Sequence, residues 1–134
     1  RPLHEPDALT QTEAIAVSAC RTANELGIKK IICFTRSGAT ALHVSKYRPS
    51  AATIAATHDD KVYRRMRLFY GVVPLMVKDM DDTDRMIREV ERAALSKGLV
   101  KKGDLVVVTL GVPAGKGTNL LKIHRVGESF GTAR

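Results

Sequence analysis

Short, wholly apolar runs alternate with longer segments of helical periodicity, and this alternation constrains the fold more than any other feature of the chain. Five runs are predicted to be β-strands: IICF (31–34), ATIAAT (52–57), VVPLMV (72–77), LVVVTL (105–110) and NLLKIHRV (119–126). The first four contain no charged residue, which is typical of strands that are covered on both faces. The pattern predicts an α/β fold, a three-layer sandwich in which helices lie on both faces of a mainly parallel five-stranded sheet.

The segments between the apolar runs are predicted to be four helices, at 7–26, 39–47, 59–70 and 82–97. The last has the clearest apolar stripe, formed by Met86, Ile87, Val90, Ala93 and Ala94. Residues that begin or end helices stand at the expected places: Asp7, Thr10 or Thr12 as the first N-cap, Gly27, Gly71 and Gly98 as stops, and Pro49 behind the second helix. Without an internal repeat or a linker, residues 1–134 are expected to form one domain.

The connections between the runs predict the topology of the sheet. If the first three strands wind in one direction and the fourth returns beside the first, the strand order is 3-2-1-4-5. The link GVPAGKGT (111–118) is too short for a crossover helix, so the fifth strand should run antiparallel to the fourth. Pro74 has no N–H group for a ladder bond, which places the third strand at an edge of the sheet.

Two polar loops should meet at the carboxyl ends of the first and fourth strands, where the strand order reverses and where open α/β sheets bind ligands. The first loop, TRSGAT, combines three hydroxyl groups, a guanidinium and a glycine: Thr35, Ser37, Thr40, Arg36 and Gly38. It also begins a helix, whose unpaired N–H groups and positive dipole end attract anions. The loop is therefore a candidate phosphate site. The alternative is that Ser37 and Thr40 only cap a short helix and that Gly38 only turns the chain.

The second loop carries Lys116 on a glycine-flanked tip, which would add positive charge to the same pocket. Its spacing differs from GxxxxGK[ST] and it precedes a strand, so we exclude the P-loop of a nucleoside triphosphatase. No catalytic set is visible, because the four histidines are far apart in the sequence. The run Arg64, Arg65 and Arg67 is interpreted as a solvated helix face, with an effector or subunit contact as the alternative. These residues indicate a domain that binds a ligand and has no recognisable set of catalytic residues.

The charge balance restricts the partners. The chain has 22 Lys and Arg against 14 Asp and Glu, a net charge of +8, which favours anionic partners such as phosphorylated metabolites. Nucleic acid is disfavoured, because aromatic residues make up only 4% of the chain and the basic residues are scattered. No apolar run reaches the roughly 20 residues of a membrane helix. Cys20 and Cys33 lack CxxC spacing and are expected to be buried free thiols in a reducing cytoplasm.

Three stretches, which cover about 14–126, closely resemble the C-terminal domain of pyruvate kinases: AIAVSACRTANELGIKKIICFTRSGATALHVSKYRPSAATIAAT, RLFYGVVPLMV and KGLVKKGDLVVVTLGVPAGKGTNLLKIHRV. They contain a very specific combination of motifs: T-x-S-G-x-T at 35–40, K-Y-R-P at 46–49, Y-G-V-x-P at 70–74 and K-G-D at 102–104. The chain is identified on these residues as a member of that family.

The resemblance implies that the parent protein is a cytoplasmic, glycolytic enzyme that transfers a phosphoryl group from phosphoenolpyruvate to ADP. In the family this reaction takes place in a separate TIM-barrel domain that binds magnesium and usually potassium. That catalytic barrel is absent from this chain, so the domain itself is expected to be non-catalytic and to bind no cofactor. The family's C-terminal domain binds allosteric sugar phosphates or nucleotides and contributes a subunit interface of the tetramer. The implied partners are therefore a phosphorylated effector, the catalytic domain and further copies of the chain.

By the same resemblance, the effector phosphate would be bound by Thr35, Arg36, Ser37, Gly38 and Thr40, and a loop that closes over the effector would be formed by Gly115, Lys116, Gly117 and Thr118. This loop is shorter than in members that a sugar bisphosphate activates, and the segment before Lys101 has no tryptophan to contact a second phosphate. The effector is therefore expected to be either fructose bisphosphate or a monophosphate, such as AMP or a sugar monophosphate.

A stand-alone phosphometabolite-binding domain, encoded by itself and without catalytic activity, is the alternative to a regulatory part of an enzyme. The chain begins at Arg1 rather than at Met, which favours the interpretation as part of a longer enzyme.

Overall fold

The computed structural model describes residues 10–80, 82–111 and 117–130. Within them, helices and strands follow one another in the order α1 (Gln11–Leu26), β1 (Lys30–Phe34), α2 (Ala39–Tyr47), β2 (Ala52–Thr57), α3 (Asp60–Met66), β3 (Val72–Met76), α4 (Thr83–Ser96), β4 (Leu105–Leu110) and β5 (Leu120–Arg125). Every helix and strand lies where the sequence predicts it to within a few residues, with α3 as the exception in length.

The strands form one sheet in the order β3-β2-β1-β4-β5. β1 pairs in parallel with β2 and with β4, and β2 pairs in parallel with β3. β5 runs antiparallel to β4, which confirms both the predicted strand order and the predicted direction of the last strand. Pro74 lies in β3, at the edge of the sheet as expected. Because β1 stands between β2 and β4, the winding direction reverses between β1 and β4.

Helices cover both faces of the sheet, which confirms the predicted sandwich. On one face, α4 packs its stripe around Met86 against Ile54 of β2 and Leu75 of β3. On the other face, α1 and α2 cover Ile31 and Val107, and α3 packs beside them over β1 and β2. Burial of each large apolar side chain contributes roughly 1.5–3 kcal/mol, so the three clusters together fix the sheet between its helices.

The start of α1 is fixed by a reciprocal cap. The Thr10 hydroxyl accepts the Glu13 N–H at 3.1 Å, and the Glu13 carboxylate accepts the Thr10 N–H at 3.0 Å. The second of these bonds is the main reason why the pKa of Glu13 is lowered. Thr10 is thus the N-cap among the three candidates, while Asp7 lies outside the described residues. None of the helices in the described part of the chain is long and apolar enough to cross a bilayer.

The third helix is shorter than predicted. α3 ends at Met66 instead of continuing to residue 70. Beyond it, the Leu68 N–H donates to the Arg65 carbonyl and the Phe69 N–H donates to the Met66 carbonyl, both at 3.1 Å. These tight turns keep Phe69 against the cluster that contains Val62 and Met66, which explains why the apolar spacing imitates a longer helix.

Candidate functional site

A cavity of about 150 Å³, which we name the switch-point cavity, lies at the carboxyl ends of β1 and β4, at the point where the strand order reverses. Its lining comes from α1, from both polar loops and from α4: Thr12, Phe34, Thr35, Arg36, Ser37, Ala39, Thr40, Met86, Gly111, Gly117 and Thr118. The structure therefore brings together the two loops that the sequence predicts to meet. Of the five predicted residues in the first loop, four line the cavity and Gly38 lies behind it.

Gly38 has a backbone conformation that disfavours any other residue. Its φ is +90°, in the left-handed region, and a Cβ at this position would lie 3.4 Å from Cγ1 of Val62. The Thr35 hydroxyl accepts the Gly38 N–H at 2.8 Å, and the Ser37 hydroxyl accepts the Ala39 N–H at 3.3 Å. Two of its own side chains therefore stabilise the turn that precedes α2, and the turn needs a glycine at position 38 because its backbone conformation there is left-handed.

The first turn of α2 contributes two residues to the lining of the cavity, Ala39 and Thr40. The first bond within the helix runs from the Leu42 N–H to the Gly38 carbonyl at 2.9 Å. The N–H groups of residues 39–41 consequently have no carbonyl inside the helix to which they can donate. Because Ala39 and Thr40 line the cavity, this arrangement suits an anion at the positive end of the helix dipole.

Thr40 connects the two loops. Its hydroxyl lies 2.6 Å from the hydroxyl of Thr118, and both residues are buried. Gln11 donates from Nε2 to the Thr118 carbonyl at 3.1 Å, so the second loop is also tied to α1. The alternative that Thr40 only caps α2 does not describe this contact. Gly117 and Thr118 line the cavity as predicted, whereas Gly115 and Lys116 lie outside the described residues.

The side chain of Arg36 is engaged by groups from two further strand ends. Its Nη1 lies 2.6 Å from Nε2 of His58, which follows β2, and its Nη2 lies 3.7 Å from Oδ1 of Asp79, which follows β3. The guanidinium also lies 6.0 Å from the centre of the Phe34 ring, within reach of a cation–π contact. His58 and Asp79 are not among the site residues that the sequence predicts. The rule that strand ends converge at one edge of the sheet would have included them.

Arg65 of α3 stabilises the same turn from outside. Its Nη1 donates to the Ser37 carbonyl at 3.0 Å. The interpretation of Arg64, Arg65 and Arg67 as a solvated face is thus incomplete for Arg65, which contacts the predicted phosphate loop. Arg64, by contrast, pairs with Asp60 one turn earlier on its own helix.

The two cysteines and the possible metal ligands do not form a reactive site in the described residues. Cys20 and Cys33 are free and buried as expected, and burial raises the pKa of Cys20 to about 11 and that of Cys33 to about 12. Both groups therefore stay protonated at neutral pH, when a thiol is a poor nucleophile. In residues 10–80, 82–111 and 117–130, no three His, Cys, Asp or Glu side chains are grouped as a metal site would need.

Comparisons with known proteins agree on one family. The family "Pyruvate kinase, alpha/beta domain" matches residues 13–124. The pyruvate kinase of Lactobacillus delbrueckii subsp. bulgaricus is 47% identical over 121 residues, which cover 89% of this chain. That of Lactococcus lactis subsp. lactis is 41% identical over 121 residues, which cover 90% of it. Two solved structures of Cryptosporidium parvum pyruvate kinase, one of them in complex with ADP, have a TM-score of 0.78 and 33% identity over 90% of the chain.

The chain spans only part of these relatives: 20% and 24% of the two bacterial proteins and 24% and 25% of the chains in the two solved structures. The family match nevertheless covers nearly all of the described residues, and it includes β1 to β4 with both loops of the cavity. The chain therefore belongs to the pyruvate kinase family, in which it corresponds to the C-terminal alpha/beta domain.

Proposed function

We propose that the chain is the regulatory domain of a pyruvate kinase and that it binds the phosphate group of a small-molecule effector at the strand switch point. The observation that carries the proposal is the cavity between the two loops, which residues from the first turn of α2 line together with hydroxyls and a guanidinium. Backbone donors at a helix start, combined with an arginine, form a typical phosphate site in proteins.

The residues that line the cavity would each make a different contact with the phosphate. The Thr40 N–H and the exposed Ser37 hydroxyl would donate to phosphate oxygens, and the Ala39 N–H, which donates to the Ser37 hydroxyl at 3.3 Å, would exchange that partner for the ligand. Arg36 would supply the charge-assisted bonds. Thr118, which is already tied to Thr40, would hold the second loop near the ligand, and Lys116 would add a further cation from the tip of that loop. Thr35 would serve mainly to shape the turn, because its hydroxyl accepts the Gly38 N–H.

The effector that we propose is a phosphorylated metabolite of the size of AMP or a sugar phosphate. The net charge of +8 favours anionic ligands in general. The ADP complex of the Cryptosporidium parvum relative is consistent with nucleotide binding somewhere in that protein. Between the candidates, AMP is the first choice as a probe, because it is a monophosphate with a base that can report on additional contacts.

Calorimetric titration with AMP tests this proposal. Arg36→Ala should weaken binding by about tenfold or more, because a charge-assisted hydrogen bond contributes about 1.5–3 kcal/mol, and Ser37→Ala should weaken it by roughly two- to tenfold. Arg64→Ala is the matched control: it removes the same charge from an exposed residue that pairs with Asp60 away from the cavity. Equal AMP affinity in the wild type and all three variants would reduce the turn to a helix cap.

The same proposal assigns catalysis to another part of the enzyme. Transfer of the phosphoryl group from phosphoenolpyruvate to ADP would take place in a catalytic domain outside this chain, and magnesium and potassium would be bound there. The chain would contact that domain and would transmit the effector signal to it. Such coupling between two sites usually amounts to about 1–3 kcal/mol.

Assembly into a homo-oligomer is the second part of the proposed function. Among the residues that the structure describes, no strand pairs with the outer edge of β3 or of β5. β3 carries Pro74, which lacks a donor, whereas β5 offers a regular antiparallel strand with Ile123 41% exposed. Two copies could pair their β5 edges around a twofold axis and thereby cover these edges.

Sedimentation measures this assembly directly. At high concentration the chain should sediment as a dimer or a larger species, and Ile123→Lys should shift it toward the monomer by placing like charges across the twofold axis. Leu68→Lys is the matched control, since Leu68 is 85% exposed but follows α3, which packs near the β3 edge of the sheet, opposite to β5. A wild-type chain that sediments only as a monomer would refute the proposal.

A further inference from the structure

The guanidinium of Arg36 has partners that do not line the cavity. Arg36 itself lines it, but His58 and Asp79 do not. His58 follows β2 and contacts Arg36 at 2.6 Å, while Asp79 follows β3 and lies 3.7 Å from Arg36 and 3.8 Å from His58. Three successive parallel strands thus contribute one charged or titratable side chain each to a single cluster, which we name the Arg36 latch.

The contact between Arg36 and His58 defines the protonation state of the imidazole. A guanidinium has only donors and keeps its proton throughout the range in which proteins are stable. Nε2 of His58 must therefore accept the bond from Nη1, so that the ring is neutral and carries its proton on Nδ1. An imidazolium has donors at both nitrogens and cannot accept this bond.

Protonation of His58 would rearrange the latch. The imidazolium would repel Arg36 and attract the carboxylate of Asp79, which is already 3.8 Å away. Asp59, the next residue in sequence, accepts the N–H groups of Lys61 and Val62, so its carboxylate is already engaged at the start of α3. Asp79 would accordingly exchange its partner, and Arg36 would lose both of its present contacts.

We propose that His58 and Asp79 compete with a bound anion for Arg36, and that protonation of His58 releases Arg36 so that the switch-point cavity binds anions more tightly as the pH falls. The inference rests on the proposed phosphate site and adds its regulation. Histidine side chains in general change their charge between about pH 5 and 8, so this is the pH range in which the inference is tested. Asp79 acts as an internal substitute for the ligand's negative charge.

Inorganic sulfate is a suitable probe, because it remains a dianion over this whole pH range while phosphate titrates. Its dissociation constant is measured for the 134-residue chain by the shifts of the backbone amide NMR signals of residues 36–40, between pH 5.5 and 8. We expect the wild type to bind sulfate about fivefold more tightly at pH 5.5 than at pH 8, the lower end of usual coupling strengths. Asp79→Asn should bind about fivefold more tightly than the wild type at pH 8.

Two histidine variants separate the latch from the general increase in positive charge at low pH. Gln can accept the bond from Arg36 but cannot become charged, so His58→Gln should lose most of the pH dependence. His43→Gln is the matched control, since His43 lies beside Glu13 at 3.8 Å on the α1 side, and it should keep that dependence. Unchanged pH dependence in His58→Gln, with sulfate bound at residues 36–40, would overturn the latch alone. The absence of sulfate shifts at these residues at every pH would overturn the phosphate site and the latch together.

Discussion

The Gly38→Val variant should bind AMP on the order of a hundredfold more weakly than the wild type while it remains folded. The φ of +90° at Gly38 is strained for any L side chain, and a valine Cβ would meet Val62 at 3.4 Å. The turn must shift to relieve this strain, and Ala39 and Thr40 would then be displaced from their places in the lining of the cavity. Loss of two hydrogen bonds to a charged phosphate, each of about 1.5–3 kcal/mol, accounts for the size of the effect.

Gly71→Val is the matched control for strain. Gly71 has a similar φ of +71°, but it has open space around its missing side chain and precedes β3, at the amino end of the strand. Both variants should lose roughly 1–3 kcal/mol of unfolding free energy in urea titrations, whereas only Gly38→Val should lose AMP affinity. If Gly38→Val retained wild-type affinity for AMP, the shape of this turn would have no part in binding.

The second large effect is the absence of catalysis. The purified chain, supplied with phosphoenolpyruvate, ADP, magnesium and potassium, is expected to form no pyruvate above the buffer blank in a coupled spectrophotometric assay. The described residues contain no grouped metal ligands, the two thiols stay protonated, and the chain spans 20% of its Lactobacillus relative. Pyruvate formation that increased in proportion to chain concentration and survived a further purification step would contradict this expectation.

This assay and the AMP titration together distinguish a regulatory domain from an enzyme. A chain that binds AMP and forms no pyruvate behaves as the proposed effector-binding part. The length of the natural reading frame then decides between part of a pyruvate kinase and the stand-alone binding domain considered from the sequence.

The fold could be predicted nearly completely because its signals are local. The bounds of α2, β2 and β4 agree with the predicted ranges to the residue, since apolar runs and stops such as Pro49 act within a few positions of themselves. The strand order required one topological rule, and the sheet obeys it. α3 was the exception: Phe69 packs on the same cluster as Met66 through a turn, and apolar spacing alone cannot separate such a turn from another helical turn.

The site was predictable in location but not in its connections. The position of the first loop follows from the end of β1, so Thr35, Arg36, Ser37 and Thr40 were found at the cavity. The contact of Thr40 with Thr118, and the cluster of Arg36 with His58 and Asp79, join residues far apart in the chain. The strand-end rule places His58 and Asp79 at the same edge of the sheet as Arg36, but which side chains meet there depends on directions that only the folded sheet determines. The roles of Gly115 and Lys116 stay predictions, because these residues lie outside the described ones.

A crystal structure of the chain with AMP tests the phosphate site most directly. We expect the phosphate in the switch-point cavity, with its oxygens about 2.7–3.2 Å from the N–H groups of Ala39 and Thr40 and with the Arg36 guanidinium turned from Asp79 to the ligand. AMP bound instead on the basic face of α3, with the cavity empty and Arg36 still paired with Asp79, would contradict it.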